Sequence, residues 1–304
     1  MKIVVFGAGA IGSLFGALLA GKNTVILVGR RPHVSRIIEK GLIVKGNTNL
    51  SVRVLAVEST QDVPFLPDLI LLTVKSYDTK TASRQLLPII QKQTMVVSLQ
   101  NGLDNINIIE QHIDKNQVLA GVTTQGSLFS KPGEIIHTGR GKTILGELDG
   151  CHSERLERLV TLFNEAGIET KRSDDIQREI WMKGIINSSI NPLTAFLRCT
   201  NGYLLHNPLL EKIVEYVCRE SVHIAASEGI TVSSEEMIEK TKEVIRDTSQ
   251  NYSSMFQSIQ QGKKTEIESI NGIFSRTALV HNIDGSLNNI LFQLISSLEL
   301  HRQS

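Results

Sequence analysis

The sequence is poor in the residues that would simplify its assignment. Only three of its 304 residues are cysteine, Cys151, Cys199 and Cys218. An odd number without paired spacing excludes a disulfide framework and reads as free thiols in a reducing cytoplasm. There is no CxxC and no HExxH, and the eight histidines are scattered, so a metal site has no support. Formal net charge is +1, which gives no global field for nucleic acid or a membrane surface; any anion site must be local. No stretch reaches the roughly 18 apolar residues of a membrane span. The apolar run after Met1-Lys2 resembles a secretory signal in composition, but Gly7, Gly9, Gly12 and Gly16 interrupt it at meaningful spacings. The most telling absence is local. From Ile180 to Ala195, IWMKGIINSSINPLTA, there is no acidic residue.

That stretch has a helical pattern with one polar stripe. Lys183, Asn187 and Asn191 recur at i, i+4 and i+8, within an arc of roughly 80° and rising about 6 Å per step. Ile180, Trp181, Met182, Ile185, Ile186 and Ile190 occupy the remaining circumference, with Gly184, Ser188 and Ser189 between them. A helix wetted on one face would carry charges of both signs there. A buried helix whose stripe lines a cavity fits better, and a buried lysine calls for an anionic, oxygen-rich ligand. The alternative is a snorkelling lysine at a domain edge, with asparagines capping neighbouring elements.

The N-terminal half alternates strand and helix. KIVVF (2–6) reads as a buried strand, Gly7-Ala8-Gly9-Ala10-Ile11-Gly12 follows at once, an apolar helix runs to about Ala20, and TVILV (24–28) is the next strand. In this context the glycines have separate uses: Gly7 for the tight turn, Gly9 for backbone approach to a pyrophosphate, Gly12 for close helix–strand packing. The helix N-terminus presents free N–H groups to phosphate. The second strand ends in Val28-Gly29-Arg30-Arg31. An NAD site places an acid there, whereas arginine pairs a 2′-phosphate, so the chain is expected to take NADP, with Arg30 nearer the strand end than Arg31. Strands at 67–74 and 94–99 end in Lys75 and in Gln100-Asn101-Gly102, where ligands gather in open α/β sheets; ordinary turn chemistry is the other explanation. Residues 41–57 read as an inserted hairpin. Runs at 118–124, 134–138, 142–146 and 168–170 add strands, some antiparallel at the sheet edge.

After about Lys171 strand signals fade. Asn207-Pro208 reads as an N-cap with proline at the first helical position, its helix stopping near Gly229; Ser233 with Glu236 forms a capping box. Further helices are expected from about Tyr252, from Thr265 and from Gly285. The predicted organisation is an α/β, Rossmann-like dinucleotide-binding domain over 1–171, followed by an all-α domain over 172–304, with a cleft between them.

GAGAIG, VKSYDT, LQNG, the stripe ending in INPLTA, NGYL, NYSSM and TEIESING occur in this order along nearly the whole chain. The set resembles the ketopantoate reductases (2-dehydropantoate 2-reductases). The resemblance implies that Lys183 is the proton donor and that Glu266 is an acid near both lysine and nicotinamide. It implies that NADP(H) lies on Gly7–Gly12, with Arg30 on the 2′-phosphate and Lys75, Asn101, Ser127 and Glu266 in contact with the cofactor. Asn101, Lys183, Asn187, Asn191, Asn201, Asn251 and Ser254 are then the substrate residues. The implied activity is NADPH-dependent reduction of 2-dehydropantoate to (R)-pantoate, in pantothenate and coenzyme A biosynthesis, by a cytoplasmic enzyme. Other readings are a related reductase of another 2-keto acid and a non-catalytic NADP-binding sensor. The sequence leaves open whether the protein is a homodimer.

Overall fold

The first thirty residues fold as their pattern dictates. In the computed structural model, which describes residues 1–301, Lys2–Phe6 (β1), Ala10–Leu19 (α1) and Thr24–Val28 (β2) form a parallel β-α-β unit. Arg31–Lys40 (α2), Leu42–Gly46 (β3), Leu50–Val52 (β4), Leu55–Val57 (β5), Leu69–Leu72 (β6), Thr79–Leu86 (α3) and Met95–Ser98 (β7) follow. Next come Asn105–Glu110 (α4), Val118–Thr123 (β8), Gly126–Lys131 (β9), Glu134–Gly139 (β10), Thr143–Glu147 (β11), Glu154–Glu165 (α5) and Thr170–Arg172 (β12).

The main sheet has the order β12-β11-β8-β7-β6-β1-β2-β5. Its pairs are parallel except for β11 against β8. Strand order therefore reverses between β1 and β6, and the turns leaving these two strands lie at the switch point where nucleotides bind such sheets. This is a Rossmann-like domain, as its sequence predicts. A smaller sheet, β4-β3-β10-β9, was only partly foreseen. β3 and β4 do make the expected hairpin, but Leu55–Val57 leaves it to pair with β2, and β10 joins β3 rather than the main sheet. Leu42 and Val44 of β3 and Ile135 of β10 enter the same core as Leu14 and Ala17 of α1 and Val5 and Leu27 of the main sheet. α1 is thus covered on two sides, which explains why it is apolar almost all round.

His33 pins this layer. Gly133, in the β9–β10 turn, donates its N–H to Nδ1 at 2.9 Å, and Nε2 meets Ser13 Oγ of α1 at 3.0 Å. Burial lowers the His33 pKa from 6.5 to about 4; a proton on Nδ1 would also face the Gly133 N–H. The folded state therefore binds this proton more weakly than the unfolded chain, so the contribution is complete above pH 6.5 and is lost as pH falls through about 4. Between those limits the wild type should lose about 3 kcal/mol more than His33→Gln in urea unfolding. Parallel pH profiles for the two proteins would rule this out.

Helices make up the rest: Ile176–Leu197 (α6), Tyr203–His206 (α7), Pro208–Ser227 (α8), Ser234–Asp247 (α9), Ser254–Gln260 (α10), Asn271–His281 (α11) and Ser286–His301 (α12). Both N-caps read from sequence are in place, although the capping box is only half formed, since Glu236 does not bond back to Ser233 N. Asn207 Oδ1 accepts from the N–H groups of Leu209 and Leu210, and Ser233 Oγ accepts from that of Glu236. α10 starts later than expected because Ser253 caps it, its Oγ accepting from Phe256 N. α11 starts at Asn271 rather than Thr265, since Thr265 Oγ1 accepts from Ile267 N and holds that stretch as a turn.

The chain divides into two compact units: Met1–Gln100 with Asn105–Glu179, and Asn101–Asp104 with the chain from Ile180 onward. The division falls inside α6, and the segment Asn101–Asp104 of the LQNG region belongs to the helical unit.

Candidate active site

In the α/β unit the glycine turn is built by exclusion. The N–H groups of Gly7 and Ala8 both donate to Val28 O, at 3.0 and 2.9 Å. Gly7 has φ +110°, and a Cβ there would lie 2.5 Å from Val74 N. A Cβ on Gly12 would overlap Gly7 O and stand 2.5 Å from Thr73 Oγ1. Thr73, just past β6, closes the turn by donating its hydroxyl to Gly7 O at 2.9 Å. Gly9 differs: it is exposed, and a Cβ would meet nothing nearer than Gly7 O at 3.9 Å. The loop therefore has a packed inner side at Gly7 and Gly12 and an open outer side at Gly9, followed by the free N–H groups of Ala10, Ile11 and Gly12 at the start of α1.

The other predicted cofactor residues of this unit gather on that turn. A Cβ on Gly29 would come within 2.7 Å of Ala8 Cβ, so Arg30 follows a residue packed on the turn. Arg30 is exposed and has no ion-pair partner among the described residues, whereas Arg31 faces Glu58 at 3.8 Å. Lys75 is half-buried and adjoins Val74, the residue against Gly7. Gln100 holds this segment by donating to Val74 O at 3.0 Å and to Thr79 Oγ1 at 2.7 Å. Ser127 of β9 donates its hydroxyl to Ala10 O at 3.0 Å, which places it on the turn. A hollow of about 560 Å³ lined by Met1, Lys2, Thr24, Leu66, Asp68 and Gln91 lies at the opposite, amino ends of these strands and contains none of the predicted residues.

In the helical unit, α6 is buried on most of its circumference, as the absence of acids required. Met182, Ile185, Ser188, Ser189 and Ile190 are inaccessible or nearly so, Asn191 is buried, and Lys183 and Asn187 are half-buried. Gly184 lets the segment Asn101–Asp104 close on the helix beside Lys183: a Cβ there would strike Leu103 Cδ2 at 2.7 Å. Leu103 N donates to Ser269 O at 3.0 Å, and Asn101 Nδ2 donates to Glu266 Oε2 at 3.4 Å. Glu266, buried in the TEIESING turn, is thereby joined to Asn101, and the segment carrying Asn101 is seated on α6 next to Lys183. Asn201 and Asn251 are also brought together, Asn201 N donating to Asn251 O at 2.9 Å. Ser254 is exposed at the first position of α10, and its side chain makes none of these links. Among the described residues, no group of three or more His, Cys, Asp or Glu is placed to hold a metal ion, and no helix is long and apolar enough to cross a membrane.

A family model described as ketopantoate reductase PanE/ApbA matches residues 3–150, and that of its C-terminal domain matches 175–299. The chain belongs to the ketopantoate reductase family. Curated 2-dehydropantoate 2-reductases of Pyrococcus abyssi and Archaeoglobus fulgidus are 40% and 35% identical to it, each aligned over 98% of both chains. Among solved structures, a PanE/ApbA family ketopantoate reductase from Ralstonia eutropha superposes with TM-score 0.92 at 28% identity, covering 100% of both chains. D-mandelate dehydrogenase with NADH and anilino(oxo)acetate superposes with TM-score 0.94 at 27% identity, also covering 100% of both.

Residues that shape this ketopantoate reductase fold around the stripe went unremarked in the sequence, although Thr194 and Ser253 stand inside its motifs and Thr248 lies shortly before NYSSM. Thr194 of INPLTA donates to Ser253 Oγ of NYSSM at 2.8 Å and so fastens the segment carrying Asn251 and Ser254 to α6. Thr248 donates to Val244 O at 2.6 Å, which leaves its oxygen to accept from Asn201 Nδ2 at 2.9 Å. That contact fixes the amide of Asn201, whose Oδ1 is buried without a partner. For Thr194, a hydroxyl within an apolar helical stretch was the available signal, and it is weak because serine and threonine usually bond their own helix.

Proposed function

We propose that this protein is an NADPH-dependent 2-dehydropantoate 2-reductase that forms (R)-pantoate for pantothenate and coenzyme A synthesis. The observation that carries the proposal is the clustering, within the helical unit, of Asn101 and Glu266 by a side-chain contact and of the Asn101 segment against α6 beside Lys183. A nucleotide-binding sensor has no use for that arrangement.

The α/β unit fits the nucleotide. Its open side at Gly9 admits a pyrophosphate, which the N–H groups at the start of α1 can meet, and Arg30 is available for the 2′-phosphate. Lys75 and Ser127 stand beside the same turn; the family resemblance adds Asn101 and Glu266 as residues for the cofactor. When bound, the reduced nicotinamide supplies hydride to the keto carbon. The chain's own residues manage the charge that results. The Lys183 ammonium stabilises negative charge on the keto oxygen and delivers the proton from Nζ. Glu266 balances the ammonium, while Asn187, Asn191, Asn201, Asn251 and Ser254 offer the paired donors and acceptors that a small polyoxygenated acid requires. Free thiols at Cys151, Cys199 and Cys218 accord with a cytoplasmic enzyme.

NADPH consumption with ketopantoate and a panel of 2-keto acids tests the assignment. Absence of turnover with every acid would favour the sensor. Faster turnover of another acid would favour the second reading, a related 2-keto acid reductase, which the likeness to D-mandelate dehydrogenase supports. Arg30→Ala should weaken NADPH binding by roughly tenfold or more, the worth of one or two charged hydrogen bonds, with little change for NADH. Equal losses for both nucleotides would show that Arg30 does not read the phosphate.

A further inference from the structure

α6 contains a proline, Pro192, directly after the last residue of the polar stripe. Proline has no N–H, so the bond that residue 192 would give to the carbonyl of Ser188 is missing. Ser188 is fully buried, and a buried carbonyl without a donor is costly. Asn271 supplies the donor: its Nδ2 reaches Ser188 O at 3.1 Å. The second hydrogen on Nδ2 goes to Asn288 Oδ1 of α12 at 2.9 Å. Asn288 in turn gives its own amide hydrogens to Glu220 Oε1 at 2.9 Å and Ser221 Oγ at 3.0 Å. A carbonyl and a carboxylate only accept, so this chain of contacts leaves one orientation for each amide.

Asn271 is the first residue of α11 and lies in the same motif as Glu266, five positions along TEIESING. Its contact at Ser188 is on the helix that carries Lys183, Asn187 and Asn191. We propose that Asn271 is a positioning residue for the reductase chemistry: it takes the place of the N–H lost at Pro192 and thereby clamps the Glu266 turn to the stripe helix. The inference rests on the roles proposed above for Lys183 and Glu266. Pro192 and Asn271 then form a functional pair, one opening the helix ladder and the other using the opening as an anchor. A clamp of this kind holds donor and acceptor groups in register, which matters because displacements of about 1 Å can cost a hundredfold in rate.

The pair allows a rescue experiment. Asn271→Leu keeps the branched outline of the side chain but removes both hydrogen bonds, and is expected to lower Tm and to lower kcat at least tenfold while NADPH still binds. Pro192→Ala in that background returns an N–H to Ser188 O. The double variant should regain part of the lost thermal stability and keep the low kcat, because the Ser188 carbonyl is satisfied again while Asn288 Oδ1 stays without its donor and the clamp is still missing. Trp181, the sole tryptophan, gives a readout independent of turnover: it lies on α6 with its ring 5.4 Å from that of Phe274 of α11. Its emission should shift in Asn271→Leu and stay shifted in the double variant. Recovery of wild-type kcat and emission together with Tm would reduce Asn271 to a structural hydrogen bond and overturn the proposal. So would wild-type kcat and emission in Asn271→Leu itself. If Asn271→Leu does not fold, the double variant alone decides. A wild type that turns over no 2-keto acid refutes the reductase reading, whereas the Trp181 spectra judge the clamp separately.

Discussion

Lys183→Ala should lower kcat by about a hundredfold to ten-thousandfold, the usual worth of a positioned general acid, with NADPH affinity nearly unchanged. The proton is needed when hydride addition leaves a full negative charge on the former keto oxygen. An ammonium group both attracts that charge and neutralises it. The nucleotide turn belongs to the other unit and does not include this side chain. Lys183→Met should behave like the alanine variant, since it keeps the stem and loses the charge. Wild-type kcat in either variant would remove Lys183 from the mechanism.

The glycine turn yields a second large effect, because two of its glycines should fail in opposite ways. Gly12→Ala places a methyl against Gly7 O and Thr73 Oγ1, within a backbone turn that has little room to yield. It should cost about 1–3 kcal/mol of folding stability, visible as a lower Tm without any nucleotide. Gly9→Ala meets only open space in the protein, at φ −81° and ψ −159°, which alanine tolerates. Its Tm should stay close to wild type. Its methyl would stand on the side where the pyrophosphate approaches, and a comparable clash of about 1–3 kcal/mol weakens NADPH by roughly tenfold or more. Undiminished NADPH affinity in Gly9→Ala would show that the nucleotide does not cross this turn as proposed.

The two variants also show what kinds of structure a sequence announces. The strand, glycine turn and helix at the N-terminus were legible because the residue pattern that signals them is contiguous in the chain, even though Val28 and Thr73 close the turn from a distance. The same holds for the caps at Asn207 and Ser233. The stripe on α6 was legible because helical periodicity places Lys183, Asn187 and Asn191 on one side, and the lack of acids from Ile180 to Ala195 argued for burial. The short strand Gly126–Lys131 was missed. It is half-exposed to exposed along its length and lacks a clear alternation, so its pairing with β10, rather than its own pattern, makes it a strand.

Sequence by itself determined the two fold classes, the glycine turn and the polar stripe, because those follow from chain-local geometry and from the cost of burying charge. Only the tertiary structure decided that α1 is covered by a second sheet, and that Asn101–Asp104 leaves the α/β unit to seat on α6 at Gly184. It alone decided that Asn271 answers the carbonyl freed by Pro192. Each of these joins segments far apart in the chain through shape or through one hydrogen bond. Neither leaves a periodic trace in the residues that make it.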